Sequence, residues 1–329
     1  MKTIKAIIVE KPGGAGQLRL GEYTKPFCGE NEILVKVKAS ALNRADILQR
    51  EGKYPPPIGV SPILGLEMSG IVEEVGSRVF KWKIGDRVFG LLPGGGYAEY
   101  AVIHENMAME IPGNIPFVEA AAIPEAFLTA FQSLKWLGEL KAGEVVLIHA
   151  GASGVGTAAI QLAREIGAKI IITASKEKHK ICKELGADLT IDYKTQNFKD
   201  EVLKFTNNYG ADAIIDFIGG VYFKHNIDSL TRDGRLVLLA TLSGGKVDEF
   251  DMRQILTKRL KIVGSTLRSR SLEYQIKLTK EFKEFAYDKI KKGIIKPVID
   301  EVFDWKYVEQ AHIRMEENKN AGKIILKID

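Results

Sequence analysis

The sequence predicts an α/β protein in two parts: a doubly wound parallel sheet and a separate, glycine-punctuated β domain. Three observations carry this. Residues 145–159, VVLIHAGASGVGTAA, pass from a β-branched apolar run through a glycine-studded turn to small residues at helical spacing, which is a strand, a tight loop and a helix start. Short apolar runs then recur at 169–174, 188–193, 211–217, 235–240 and 261–266, alternating with helical patterns, so five or six strands line one sheet. Residues 1–40 instead alternate apolar and polar side chains between glycine turns, the signature of antiparallel strands with one wet face, and glycine-punctuated strands follow to about residue 100.

In chain order, strand alternation at 5–9, 17–21 and 32–39 is separated by turns at Pro12-Gly13-Gly14 and Cys28-Gly29. Asn43 opens a short helix whose apolar face is Leu42, Ile47 and Leu48, and Tyr54 stands before three prolines in a stiff loop. Residues 64–76 form a strand with Gly65, Gly70 and Gly76; 85–88 turn into another; 92–100 are a glycine loop leading to a third. Strands this dense predict a compact, partly closed β-barrel. A helical stretch, 117–137, leads to the parallel sheet, where Gly167 ends the first helix and 169–174 completes a βαβ unit. Further helices start at Phe198 and at Val221, after Gly219-Gly220. Beyond the sheet, 272–291 and 305–318 are amphipathic helices, 293–303 restart strand alternation and 323–328 close the chain as a strand. The tail therefore returns to the first domain, giving domains of 1–124 with 268–329, and 125–267.

At 329 residues, 45% hydrophobic and 27% charged, the chain is long enough for two domains of ordinary globular composition. A net charge of +5 without a dense basic block suits small anionic ligands, and the lack of interleaved aromatic and basic clusters argues against a nucleic-acid partner. Cys28 and Cys182 form no framework, which points to a reducing compartment. The N-terminal apolar run is too short for a signal core, and Pro124 and Glu125 interrupt the longest apolar stretch, 120–131; the expected location is the cytoplasm, with no membrane span.

The junction at 145–159 suits a ligand that brings negative charge up to bare backbone. Gly151, Gly154 and Gly156 let a diphosphate approach their N–H groups at the positive end of the next helix. A nucleophile elbow is excluded because Val155 stands where its last glycine belongs, and no Gly-Lys-Ser/Thr follows to make a nucleoside-triphosphate loop. What remains is a variant dinucleotide fingerprint with Ser153 in place of the middle glycine.

Collinear runs along the whole chain resemble the medium-chain dehydrogenase/reductase superfamily: ALNRADILQR (41–50), YPPP (54–57), ILGLEMSG (63–70), KIGDRV (83–88), LLPGGG (91–96), AAIPEAFLTAFQSL (121–134), LIHAGASGVGTAAIQLA (147–163), DFIGG (216–220), LRSRS (267–271) and MEENKNAGKIIL (315–326). More narrowly they are similar to its zinc-independent NADPH:quinone oxidoreductases, the branch of the p53-inducible quinone reductases and, at greater distance, the ζ-crystallins. The resemblance implies a GroES-like β domain, a Rossmann domain, NADPH as cofactor, a small-molecule quinone as substrate and a homodimer paired through the edge strand at 261–266. Metal-using members place Cys where this chain has Asn43 and His where it has Leu66; Leu66 is no metal ligand, and no metal is expected.

Cofactor preference is read at the end of the second parallel strand. An NAD-preferring fold presents Asp or Glu there; this chain presents Ser175 and then Lys178, a hydroxyl and an ammonium suited to a 2′-phosphate, although a solvated lysine face is the competing explanation and Glu177 lies between them. The resemblance assigns the phosphate to Ser175, Lys178 and Tyr193, and the rest of the cofactor to Thr129, Ser153, Gly154, Val155, Gly156, Phe217, Leu242, Ser265, Leu267 and Lys323. It places Asn43 and Tyr54 as catalytic-cleft residues, against helix capping and loop anchoring as their alternatives, and for Lys323 an exposed edge-strand lysine is the alternative to a cofactor contact. Two rival functions stay open: reduction of the C=C bond of an enoyl or enone substrate, and a ζ-crystallin-like structural or single-stranded-RNA-binding role.

Overall fold

The computed structural model describes residues 2–328. Its strands in chain order are β1 (Thr3–Val9), β2 (Leu18–Thr24), β3 (Glu32–Ala41), β4 (Glu67–Val75), β5 (Arg87–Leu91), β6 (Tyr100–His104), β7 (Ala108–Glu110), β8 (Val145–Ile148), β9 (Lys169–Ala174), β10 (Leu189–Asp192), β11 (Ala211–Asp216), β12 (Leu230–Leu238), β13 (Lys261–Gly264), β14 (Ile299–Asp304) and β15 (Lys323–Lys327). The chain divides into two compact units, residues 1–128 with 268–329, and residues 129–267, the first cut falling within the helix Pro124–Phe131.

The second unit is the doubly wound one. Its six strands lie in the order β10-β9-β8-β11-β12-β13, all parallel, so the chain starts at the centre, winds outward through β9 and β10, and returns to build β11 to β13 on the other side. This order leaves a reversal point between β8 and β11, where ligands of open parallel sheets collect beyond the strand carboxyl ends. Val145, Leu147, Ile171, Ile191, Ile214 and Leu236 pack with Phe198, Val202 and Ile227 of the covering helices, which accounts for the apolar runs: the central strands β9, β8 and β11 are buried on both faces, while the edge strand β13 is not. Gly167 adopts the left-handed conformation (φ 87°) and ends the helix Gly154–Ile166. Strand β12 begins five residues before the expected 235, because Leu230 pairs with Ala211 across an irregularity and Asp233 turns left-handed (φ 60°) within the strand.

The first unit holds a two-stranded β1-β2 sheet and a seven-stranded sheet in the order β14-β15-β3-β4-β5-β7, with β6 pairing β3. Among the described residues no ladder joins β7 to β14, so the sheet curls without closing into a barrel. Gly70 sits under β3; a Cβ there would lie 2.2 Å from the carbonyl oxygen of Lys36, so only glycine lets β4 approach this closely. The strand β15 lies antiparallel to β3 and parallel to β14, which is how the tail joins the first unit. The expected helical stretch 117–137 is broken into Phe117–Ala120, Pro124–Phe131 and a widened turn at Gln132–Leu137; Pro124, which has no N–H to donate, restarts the helix as its first residue.

Candidate functional site

In the second unit the loop after β8 turns sharply through Ala150 (φ 49°), and Gly151 donates to the carbonyl of Thr173 at 2.9 Å. Ser153 precedes the helix Gly154–Ile166 in extended conformation and its hydroxyl accepts from the Gly156 amide at 3.0 Å. The amides of Gly154 and Val155 have no partner within the helix and stand at its positive end. A Cβ on Gly156 would lie 2.3 Å from the Ala150 carbonyl oxygen, so this turn closes only on bare backbone. Ser153 thus replaces the fingerprint's middle glycine by capping the helix.

Past β9, Ser175 is buried while Lys178 is half-buried in a short turn. Glu177 points into solvent, where a hydrogen bond from the Ser175 hydroxyl holds its carboxyl below the ordinary range, and Lys194 lies 3.8 Å from it. The acid that complicates the phosphate reading is thus partnered by a lysine beyond β10, next to the exposed Tyr193. Phe217 and Leu242 are joined by backbone: the Leu242 amide donates to the Phe217 carbonyl at 3.1 Å, and that of Ser265 to Leu238 at 3.0 Å. Leu267 is buried, and the hydroxyl of Thr129 is a buried donor without a partner.

A buried network that the sequence reading missed ties three of these strand ends together. His149 Nε2 lies 2.7 Å from Asn226 Oδ1, Asn226 Nδ2 donates to Asp216 Oδ2 at 3.0 Å, and His149 Nδ1 lies 3.0 Å from the Thr173 hydroxyl. The amide oxygen of Asn226 only accepts, so His149 carries its proton on Nε2 and the Thr173 hydroxyl donates to Nδ1. Burial lowers the His149 pKa, keeping it neutral. Asp216 also accepts from the amides of Ile218 and Gly219, fixing the turn that follows β11.

The first unit contains a second buried polar cluster. Lys323 Nζ donates to the carbonyl of Leu42 (2.6 Å), to Asn43 Oδ1 (2.6 Å) and to Glu67 Oε1 (2.8 Å), three acceptors for its three donors. Asn43 Nδ2 donates to the same Glu67 oxygen at 2.8 Å and to the Ala41 carbonyl at 3.3 Å, while Glu67 Oε2 accepts from the Glu125 amide at 2.8 Å. Asp46, pushed up to about 6 chiefly by burial, accepts from the amides of Asn43 (2.8 Å) and Gly65 (3.0 Å) and from the Tyr97 hydroxyl (3.2 Å). Tyr54 is half-buried with the Arg268 guanidinium 5.5 Å from its ring centre. Arg268 donates through Nε to Pro93 and through Nη1 to Gln49, leaving Nη2 buried without a partner. Of the sequence-predicted residues, Asn43 and Lys323 come together here. Their carboxylate partners, Glu67 and Asp46, were not anticipated.

Comparison with known proteins bears on this arrangement. A profile described as "Zinc-binding dehydrogenase" matches residues 154–284, and one described as "Alcohol dehydrogenase GroES-like domain" matches residues 29–113. A quinone oxidoreductase of Lama guanicoe is 33% identical over 334 residues, covering 99% of this chain and 98% of that protein. The chain belongs to the medium-chain dehydrogenase/reductase superfamily. Its solved neighbours in that superfamily include a Pseudomonas syringae quinone oxidoreductase (TM-score 0.88, 30% identity, 99% of this chain and 100% of that one) and the CurK enoyl reductase (TM-score 0.87, 28% identity, all of both chains). As a medium-chain dehydrogenase/reductase it is an oxidoreductase with a GroES-like and a Rossmann domain, of a family that uses a nicotinamide cofactor. Among the described residues no helix is long and apolar enough to cross a membrane.

Proposed function

We propose that this protein is a cytosolic, zinc-independent, NADPH-dependent quinone oxidoreductase that acts as a homodimer. The observation that carries the cofactor assignment is the loop Ala150–Gly156: the space a Cβ of Gly156 would fill is already taken by backbone, and the free amides of Gly154 and Val155 suit a diphosphate. Ser175, Lys178 and Tyr193 would hold the 2′-phosphate, and Thr129, Phe217, Leu242, Ser265 and Leu267 the nicotinamide half. When bound, the reduced nicotinamide supplies a hydride. The protein's own part is positioning: within the second unit it holds the loops at the ends of β8, β11 and β12 in fixed relation, and within the first Asn43 and Tyr54 are the residues that would contact the acceptor.

Zinc does not fit the first unit. The Lys323 ammonium already sits on Asn43 and Glu67, supplying the positive charge a metal would bring, and Leu66 offers no donor atom. Without a Lewis acid to polarise an alcohol, the favoured direction is reduction of an electron-poor acceptor. The near full-length quinone oxidoreductase relatives support a quinone. Enone or enoyl reduction is the second reading, favoured by the likeness to the CurK enoyl reductase. The homodimer rests on β13, which among the described residues pairs with β12 alone and ends the sheet as an edge.

The deciding experiment is NADPH oxidation against ortho- and para-quinones, enones and a crotonyl thioester. Turnover of quinones at least tenfold faster than of the C=C substrates is expected, and the reverse order overturns the substrate assignment. Lys178→Ala is expected to weaken NADPH binding by about 1.5–3 kcal/mol, the scale of a charged hydrogen bond, and to leave NADH nearly unchanged. Equal losses for both in a titration calorimeter would remove Lys178 from the phosphate site.

A further inference from the structure

We propose that Glu125 is the proton donor of the reduction, handing its carboxyl hydrogen to the acceptor oxygen as the acceptor takes up a hydride. This rests on the reading of the protein as a nicotinamide-dependent reductase of a carbonyl-type acceptor. The geometry singles out Glu125 by elimination. Glu67 is saturated by Lys323, Asn43 and the Glu125 amide, and Asp46 by two amides and Tyr97. The Glu125 carboxyl is half-buried and has no hydrogen-bond partner among the described residues, while the bond from its own amide to Glu67 Oε2 pins it in place. It is the one carboxyl of this cluster free to bond to a substrate.

The surroundings keep it protonated. Burial is the main cause that raises its pKa to about 8, reinforced by Glu67 on β4 and Asp46 on the helix Arg44–Arg50 and opposed by Lys323 on β15 and by Arg268. Its place in the first turn of the helix Pro124–Phe131 favours the anion, too weakly to offset burial beside a like charge. The Glu125 charge is felt at Tyr54, whose own pKa is raised mainly by burial, so Tyr54 is the weaker acid of the two at neutral pH. The step balances. A hydride from the bound reduced nicotinamide would form one new bond to hydrogen on the quinone, both carbonyl π bonds are given up as the ring becomes aromatic, and the electron pair left on the second oxygen forms its O–H bond as the Glu125 O–H bond breaks. The product is the hydroquinone, and the Glu125 carboxylate regains a proton from solvent.

The test uses full-length protein and its Glu125→Gln and Glu125→Asp variants. Without cofactor, difference infrared spectra of the wild type are expected to show a carboxyl C=O band that titrates near pH 8 and is missing from Glu125→Gln. The folded state holds this proton more tightly than the unfolded chain, so the wild-type melting temperature should fall relative to Glu125→Gln as pH rises from about 5 to about 9. With NADPH and a quinone, wild-type kcat should decline above about pH 8, and Glu125→Gln should lose about 100-fold in kcat and this alkaline limb, with NADPH affinity within threefold. Glu125→Asp should keep the limb at a shifted pH, which answers the case where the glutamine variant fails to fold. An unchanged kcat and limb in Glu125→Gln, or no titrating band, overturns the proposal. A protein that shows the band and binds NADPH yet reduces no acceptor refutes instead the function on which it rests.

Discussion

Gly156→Val is expected to abolish NADPH binding, lowering affinity by about 100-fold or more. The new Cβ would sit 2.3 Å from the Ala150 carbonyl oxygen and 2.7 Å from the Gly151 backbone, well inside contact distance, so the first turn of the helix must move away from the loop. That movement breaks the bond from Gly156 to the Ser153 hydroxyl and takes the amides of Gly154 and Val155 out of register with a diphosphate. Losing two charge-assisted hydrogen bonds at about 1.5–3 kcal/mol each accounts for the size of the effect. Quenching of intrinsic fluorescence on NADPH titration provides the measurement, with circular dichroism to show that the unit still folds. Affinity within threefold of the wild type would mean that the dinucleotide binds elsewhere.

Lys323→Met should cost about 3–5 kcal/mol of unfolding free energy, because it leaves the Glu67 carboxylate buried without its counter-charge. The loss should reverse in large part in the double variant Lys323→Met with Glu67→Gln, where the charge that needed a partner is gone. Urea denaturation of the two variants checks both numbers. A single variant that loses less than about 1 kcal/mol would make the ion pair a bystander. The same variant also tests Asn43, whose amide oxygen depends on Lys323 and whose nitrogen depends on Glu67.

How much of this was legible beforehand depended on range along the chain. The stretch from 145 to 174 could be read closely because its signals are local: a β-branched run makes β8, glycines make the turn, and β9 spans the predicted Lys169–Ala174. The start of β12 was misread because Thr231-Arg232-Asp233-Gly234 has turn composition, and only pairing with β11 holds it in the sheet. Strand β7, three residues long, and the helix Arg253–Lys258 were too short to show a period. The site divides in the same way. The helix-terminus loop is one continuous segment and was visible. The contact between Lys323 and Asn43 spans 280 positions, and no periodicity announces a partner that far away. Glu125 did leave a trace: a lone acid following proline within the apolar run AAIPEAFL has no place on a merely buried helix.

The interleaving of the two units also sets an order of assembly during synthesis. Residues 129–267 form one uninterrupted segment and have every strand of their own sheet as soon as β13 leaves the ribosome. The first unit has to wait, since β3 stays without β15 beside Ala39–Ala41 until residues 325–327 emerge, well after β13. For that interval the nascent chain carries an open ladder and an acid in an apolar setting without its counter-ion, both hazards for aggregation. Premature termination before residue 323 should therefore yield an insoluble fragment whose inserted half is nonetheless folded, a target for holdase chaperones rather than a truncated enzyme.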